Sequence, residues 1–188
     1  MKKKIAIIGL GYVGLPLAVE FAKKYKVVGF DINQNRIEEL KKNTDNTLEI
    51  TDDAISSVRE NLNFTSNIDD TKECNIYIVS VPTPIDEFNK PNLEPLINSS
   101  KIVGTVIKKN DIIIYESTVY PGVTEDICVK ELEKSSGLKF NKDFFCGYSP
   151  ERVNPGDKVN TLTKIKKITS GSTPEIAKEV DELYKTII

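Results

Sequence analysis

Short apolar runs separated by amphipathic stretches set the pattern of this chain. Residues 3–9 (KKIAIIG), 26–31 (KVVGFD), 74–81 and 111–118 are rich in Ile and Val and lack a clean alternation of apolar and polar positions. This pattern is typical of a strand that is buried on both faces of a parallel sheet. From Val13 to Tyr25, apolar side chains instead recur at helical spacing. The first 31 residues therefore predict a strand, a helix and a second strand.

The same alternation continues along the rest of the chain. We predict helices at 33–41, 51–60, 93–107, 124–135 and 174–187, and further strands at 144–148 and 166–170. Such repetition predicts an α/β fold with a doubly wound, Rossmann-like, mostly parallel sheet and helices on both faces. In these sheets ligands bind beyond the carboxyl ends of the strands. We therefore expect the turn at Gly9 and the loops at 81–84, 120–122 and 149–157 to meet at one crevice.

Composition removes several kinds of chemistry. The chain has no histidine, which excludes Ser-His-Asp triads, Cys-His dyads and histidine metal sites. Its 26 basic and 28 acidic side chains give a net charge of −2, which offers no basic field for nucleic acid or anionic lipid. Three widely spaced cysteines without a CxxC pair indicate neither a disulfide framework nor a metal centre. With no apolar run near the roughly 20 residues of a membrane span, we expect a cytoplasmic protein without nucleic-acid or membrane partners.

The most informative motif is GxGxxG at residues 9–14, directly between the first strand and the first helix. Gly9 permits a tight turn, Gly11 lets a pyrophosphate approach the backbone, and Gly14 allows close packing of the helix on the sheet. Asp31 closes the second strand, where an acid binds the ribose hydroxyls of a dinucleotide and favours NAD over NADP. Arg36 keeps NADP open as the cofactor. Its side chain either packs against the adenosine or is a solvated residue in the first turn of the helix. A purely structural glycine turn is the alternative to dinucleotide binding.

Two further segments carry candidate chemistry. The fourth run ends in hydroxyl side chains at Ser117 and Thr118, where they either hold a water or substrate oxygen or cap the strand end locally. Glu151 lies in a proline-bounded loop, where partial burial would raise its pKa towards general acid or base use. An exposed loop carboxylate is the alternative for Glu151. We expect the cysteines to be small buried side chains rather than nucleophiles; they are Cys74, Cys128 and Cys146.

Four linked segments carry a family resemblance: IAIIGLGYVGLPLA, VPTPID, YESTVYPGVTE and GYSPERVNPGDK, in this order. Together they resemble the NAD-binding portion of the nucleotide-sugar 6-dehydrogenases over nearly the whole chain. Within that family, VPTPID and SPERVNPGD are most similar to enzymes that oxidise UDP-N-acetylhexosamines, with UDP-N-acetylglucosamine as the expected substrate. UDP-N-acetylgalactosamine and UDP-N-acetylmannosamine stay open as alternatives. A β-hydroxyacid dehydrogenase and a non-enzymatic nucleotide-sensing module are the more distant readings.

The resemblance also implies roles for single residues. It implies that Thr118 and Glu151 act together in proton transfer and water activation, and that Arg152 contacts the substrate or a neighbouring subunit. Pro155 stands where UDP-glucose enzymes carry a second glutamate, which argues against UDP-glucose as substrate. The implied cofactor-binding residues are Gly9, Gly11, Tyr12, Val13 and Gly14 at the pyrophosphate, Asp31 and Arg36 at the adenosine, and Thr83 and Thr118 at the nicotinamide.

Residues 1–188 do not contain every group that the family reaction requires. It converts the sugar C6 alcohol to a carboxylate with two NAD⁺, through a cysteine in a GGxCxxxD-type segment that does not occur here. We therefore expect residues 1–188 to be the NAD-binding domain of a longer chain, inactive alone, that forms a homodimer at full length. The resemblance further implies a role in making capsule or O-antigen polysaccharide.

Overall fold

A computed structural model describes residues 2–85, 87, 90–152, 156 and 162–188. Its seven strands form one sheet in the order β3-β2-β1-β4-β5-β6-β7. The strands are β1 (Lys4–Ile8), β2 (Lys26–Phe30), β3 (Leu62–Thr65), β4 (Ile76–Val79), β5 (Ile112–Tyr115), β6 (Phe145–Tyr148) and β7 (Ser170–Gly171). The helices are α1 (Gly14–Ala22), α2 (Gln34–Lys41), α3 (Asp52–Ser57), α4 (Glu94–Gly104), α5 (Val129–Ser136) and α6 (Pro174–Tyr184).

The sheet is parallel except at one edge. β1 pairs with β2 from Lys4 opposite Lys26 and with β4 from Ile5 opposite Ile76. Among the strands of the described residues, only β7 runs antiparallel to its neighbour, β6. After β1 the chain winds outwards through β2 and β3, and it then returns to β4 on the other side of β1. This reversal next to β1 is the topological switch point at which such sheets bind their ligands. The predicted doubly wound α/β fold is confirmed.

Two apolar cores lie on opposite faces of the sheet, because successive side chains of a strand point in opposite directions. Ile5 and Ile7 of β1 belong to the core under α1 and α6. Ala6 and Ile8 belong to the second core, which α4 and α5 cover. All four residues of β4 and of β5 are buried, which explains why these segments show no alternation in the sequence. The buried cysteines Cys74, Cys128 and Cys146 are free thiols, as the sequence predicts.

The largest departures from the predicted helices and strands concern three segments. Strand β3 (LNFT) was not predicted, and it forms an edge of the sheet with Asn63 exposed. The strand predicted at 166–170 is wrong except for Ser170, which pairs with Tyr148. The helix predicted at 124–135 begins with a π-helical turn at Thr124–Cys128. Within the described part of the chain, every helix is too short or too polar to span a membrane.

Candidate cofactor-binding site

A cleft of about 820 Å³ opens at the carboxyl ends of the central strands. The glycine loop after β1, the end of β2, and the loops after β4 and β5 line it, together with Glu151 from the loop after β6. The first turns of α4 close another side through Asn98 and Ser99. The sequence therefore predicts correctly that several loops meet here. The turn at Tyr120–Gly122 is not among the lining residues.

The glycine loop is held tightly against the sheet. Gly9 has a φ of 94°, a conformation that favours glycine, and its N–H donates to the Phe30 carbonyl at 2.8 Å. Gly14 has no room for a side chain, because a Cβ there would lie 1.9 Å from the Gly9 carbonyl oxygen. The Ser80 hydroxyl at the end of β4 donates to the same oxygen at 2.9 Å. Gly9 and Gly14 thus fix the path of the loop into α1.

Gly11 differs from these two glycines. A Cβ at Gly11 would meet no other atom within 4 Å, so packing within the chain does not require a glycine there. The residue lines the cleft in front of the N-terminus of α1. Backbone N–H groups and the helix dipole make such a place favourable for phosphate oxygens. The space left open by Gly11 fits the pyrophosphate of a dinucleotide, which must approach the backbone closely.

Asp31 lies just after β2, beside the glycine loop. Its Oδ2 accepts a hydrogen bond from the Leu10 N–H at 2.9 Å, and its Oδ1 accepts one from the Asn33 N–H at 2.9 Å. Both carboxylate oxygens are therefore fixed by backbone donors, and the residue lines the cleft. A carboxylate at this point accepts hydrogen bonds from ribose hydroxyls and repels a 2′-phosphate.

Arg36 lies in the first turn of α2 and is not among the cleft-lining residues. Its Nε donates to the Leu10 carbonyl at 2.9 Å, and its guanidinium forms ion pairs with Glu39 and with Asp45, the latter at 2.8 Å. The hydrogen bonds that Asp45 accepts from Thr47, Ile50 and Arg36 hold the pKa of its carboxyl below the usual range, although burial acts in the opposite direction. The structure thus shows Arg36 supporting the glycine loop from behind, and its predicted contact with adenosine stays a prediction.

Thr83 and Thr118, two hydroxyl residues predicted to belong to the site, lie next to each other at the cleft. The Thr83 hydroxyl, in the loop after β4, donates to the Thr118 carbonyl at 2.9 Å. The neighbouring Ser117 hydroxyl donates to the Val81 carbonyl at 2.5 Å. These bonds tie the loops after β4 and β5 together, and they leave the Thr118 side chain exposed at the cleft. Ser117 therefore has a local structural role, whereas the Thr118 hydroxyl can contact a bound molecule.

Glu151 enters the same cleft from the loop after β6 and is half-buried. Burial raises the pKa of the Tyr12 phenol on the glycine loop, and the nearby charge of Glu151 raises it further. This electrostatic effect places the carboxylate close to the loop at which the cofactor would bind. Arg152 next to it is exposed. Pro155, which stands where UDP-glucose enzymes carry a second glutamate, lies outside the described residues.

The structure thus brings most of the predicted site residues to one cleft. Gly14 and Arg36 lie behind the glycine loop instead. Sequence reasoning missed the contributions of Ser80, Asn98 and Ser99, because single polar residues at a strand end or in a helix carry no motif. The predicted residues that line the cleft are Gly9, Gly11, Tyr12, Val13, Asp31, Thr83, Thr118 and Glu151.

Fold and site together define a dinucleotide-binding domain of the Rossmann type. Residues 3–188 match the NAD-binding domain of the UDP-glucose/GDP-mannose dehydrogenase family. The chain belongs to this family, as its NAD-binding domain.

Individual relatives agree with this assignment. The chain is 62% identical over 185 residues to a UDP-N-acetyl-D-glucosamine 6-dehydrogenase of Pseudomonas aeruginosa, covering 98% of this chain and 44% of the relative. An enzyme of the same name from Salmonella typhi is 60% identical, with 98% and 43% covered. The structure of a UDP-D-ManNAc dehydrogenase from Pyrococcus horikoshii superposes with a TM-score of 0.91 at 33% identity, over 98% of this chain and 45% of that one. The chain therefore spans less than half the length of these relatives.

Proposed function

We propose that residues 1–188 form the NAD-binding domain of a longer dehydrogenase. This enzyme would oxidise the C6 alcohol of a UDP-N-acetylhexosamine, UDP-N-acetylglucosamine in particular, to the carboxylate with two NAD⁺. The observation that carries the proposal is the 62% identity to a UDP-N-acetyl-D-glucosamine 6-dehydrogenase, because it extends over the whole cofactor cleft. Relatives named for UDP-N-acetyl-D-mannosamine are more distant, at 34% identity or less.

Different residues of the cleft bind different parts of the cofactor. The backbone from Gly9 to Gly14 and the N-terminus of α1 bind the pyrophosphate, and Asp31 accepts hydrogen bonds from the adenosine ribose. Thr83 and Thr118 border the nicotinamide side, and Arg36 supports the adenosine end through the loop. When bound, NAD⁺ supplies the hydride acceptor for the oxidation of the alcohol.

Thr118 and Glu151 carry the part of the chemistry that belongs to this domain. The Glu151 carboxylate is half-buried in the cleft, where it can accept a proton from a water molecule or from the substrate. The exposed Thr118 hydroxyl can hold that water or the reacting oxygen by a hydrogen bond. In this proposal the nucleophilic cysteine and the UDP-sugar pocket belong to the remainder of the enzyme. The full-length enzyme is cytoplasmic and homodimeric and binds neither nucleic acid nor membrane.

The decisive experiment measures NADH formed per molecule of limiting UDP-N-acetylglucosamine, with the full-length enzyme and the 188-residue chain side by side. We expect two NADH per sugar from the full-length enzyme and none from the chain alone. UDP-N-acetylgalactosamine, UDP-N-acetylmannosamine and UDP-glucose serve as comparison substrates. One NADH per sugar would contradict a four-electron oxidation. Turnover by the 188-residue chain would contradict the assignment of essential chemistry to other domains.

NAD binding is tested separately on the 188-residue chain by calorimetry. We expect NAD⁺ to bind more tightly than NADP⁺, because the Asp31 carboxylate opposes a 2′-phosphate. Equal affinities would contradict the role of Asp31 at the ribose. This measurement does not depend on turnover, so it separates cofactor recognition from the proposed reaction.

A further inference from the structure

A buried charged cluster lies at the floor of the cleft, which Glu116 helps to line. Glu116 follows β5, is 1% exposed, and accepts hydrogen bonds from the Lys167 ammonium and from the Tyr184 hydroxyl of α6. The Lys167 side chain is 3% exposed. A lysine and a glutamate are seldom buried to this extent unless they are paired. The Glu116–Lys167 ion pair therefore links the end of β5 to the segment that leads into β7.

Lys167 makes a second contact that Glu116 does not share. Its ammonium also donates to the carbonyl of Pro150 at 3.3 Å, and Pro150 is bonded directly to Glu151. Among the described residues, Lys167 thus joins the buried carboxylate to the loop that carries Glu151 into the cleft. Burial raises the pKa of Glu116, and the charge of Glu151 adds to this effect, so the two carboxylates lie close enough to interact.

We propose that Lys167 is a positioning residue, which fixes the loop at Pro150 and thereby holds the Glu151 carboxylate in the cleft. This inference rests on the proposed function of Glu151. Charge pairing by itself is a weak reason for the cluster, because well-packed apolar residues often replace a buried ion pair without loss of stability. The contact to the Pro150 carbonyl adds what an apolar pair lacks, a donor that sets the position of the loop.

The test separates charge balance from loop position by comparing variants. Lys167→Met alone leaves Glu116 buried without its partner, which is strongly destabilising in general. Glu116→Gln alone would in turn leave the Lys167 ammonium buried without its partner. The informative pair therefore consists of two double variants, Glu116→Gln with Lys167→Met and Glu116→Gln with Lys167→Gln, which bury no charge and differ only in whether residue 167 keeps an N–H donor. Lys166→Met is the surface control, because it removes the same side chain from an exposed neighbouring position.

Each variant is measured in two ways. In the 188-residue chain, the rate of native-state trypsin cleavage after the exposed Arg152 reports how firmly the loop is held. We expect the double variant with Lys167→Met to be cut about threefold faster or more than the one with Lys167→Gln, with NAD affinity the same in both. In the full-length enzyme, we expect the kcat of the double variant with Lys167→Met to be the lower of the two by about tenfold or more, because small displacements of a reacting group are costly. Lys166→Met should match the wild type in both assays.

Equal trypsin rates and equal kcat values for the two double variants would overturn the proposal and leave Lys167 as a counter-ion only. Faster cleavage with unchanged kcat would equally overturn it, because the loop would then move without affecting the reaction. Absence of NADH formation by the wild-type enzyme refutes the proposed function itself, and with it the role of Lys167 in positioning Glu151 for the reaction. In that case the trypsin rates still report whether Lys167 anchors the loop.

Discussion

Replacing Asp111 with asparagine should change how the stability of the fold depends on pH. Asp111 precedes β5, at the end of the sheet opposite the cleft, and is 3% exposed. Its Oδ2 accepts a hydrogen bond from the Lys108 N–H at 2.7 Å, but burial dominates and raises the pKa of its carboxyl from 3.8 to about 6. The folded chain therefore holds this proton more tightly than the unfolded chain does.

The sign and size of the effect follow from linkage. The protonated Asp111 carboxyl contributes stability in full below about pH 4, and this contribution is lost as the pH rises through about 6. At 1.36 kcal/mol per pKa unit, the rise of the Asp111 pKa from 3.8 to about 6 corresponds to about 3 kcal/mol. About 2 kcal/mol of this lies between pH 4.5 and 7.5. Asparagine keeps a carbonyl oxygen for the Lys108 N–H and has no charge to bury.

The assay is urea unfolding of the wild type and of Asp111→Asn at a series of pH values from about 4.5 to 7.5. The free energy of unfolding of the variant, relative to the wild type, should rise by about 2 kcal/mol over this range and level off above pH 7. Asp53→Asn, at an exposed position in the first turn of α3, is the control and should change by less than about 1 kcal/mol. A constant difference between wild type and Asp111→Asn would refute the argument from burial.

Three further predictions concern the cleft and the core. Gly11→Ala should leave the melting temperature nearly unchanged and weaken NAD binding about tenfold or more. Gly14→Ala should instead lower the melting temperature, because its Cβ clashes with the Gly9 carbonyl. Equal effects of the two variants in calorimetry would contradict the different roles of the two glycines. Asp31→Ala should raise the Kd for NAD about tenfold to a hundredfold, and an unchanged Kd would remove it from the site. The three cysteines should react slowly with a thiol reagent until denaturant is added, because they are buried and the pKa of Cys74 is raised to about 12; fast labelling of the native chain would show that a thiol is accessible.

The parts of the fold that could be predicted are those with local signals. The apolar runs of β1, β4 and β5 and the glycine motif specify the centre of the sheet within a few residues of where the structure places it. Edge strand β3 escapes prediction, because its four residues include the exposed Asn63 and contain no run of β-branched side chains. Its pairing with Val27 and Phe30 of β2 stabilises it, and that contact is not visible locally.

The candidate site divides in the same way. Gly9, Gly11 and Asp31 could be predicted, because the spacing of a motif places them. The burial of Lys167 could not, since its partner Glu116 lies 51 residues earlier in the chain. Nothing in the sequence of the predicted strand at 166–170 indicates that Lys167 is buried, and only the folded chain shows that it pairs with a carboxylate at the cleft. The turn at Tyr120–Gly122 is predicted to reach the crevice but does not line it. Pro and Gly indicate that the chain bends there, but they do not indicate in which direction.

The two hydrogen bonds that hold Asp31 also affect the thermodynamics of binding. A side chain that becomes ordered only when a ligand arrives costs about 0.5–1.5 kcal/mol in lost rotamer freedom. Because the Leu10 and Asn33 N–H groups already fix both carboxylate oxygens, this rotamer entropy is lost when the domain folds and not when the ligand binds. The carboxylate is thus preorganised, and the affinity for a ribose is higher by up to about tenfold than for a freely rotating aspartate. Part of the recognition of the cofactor is in this way already built into the stability of the glycine loop.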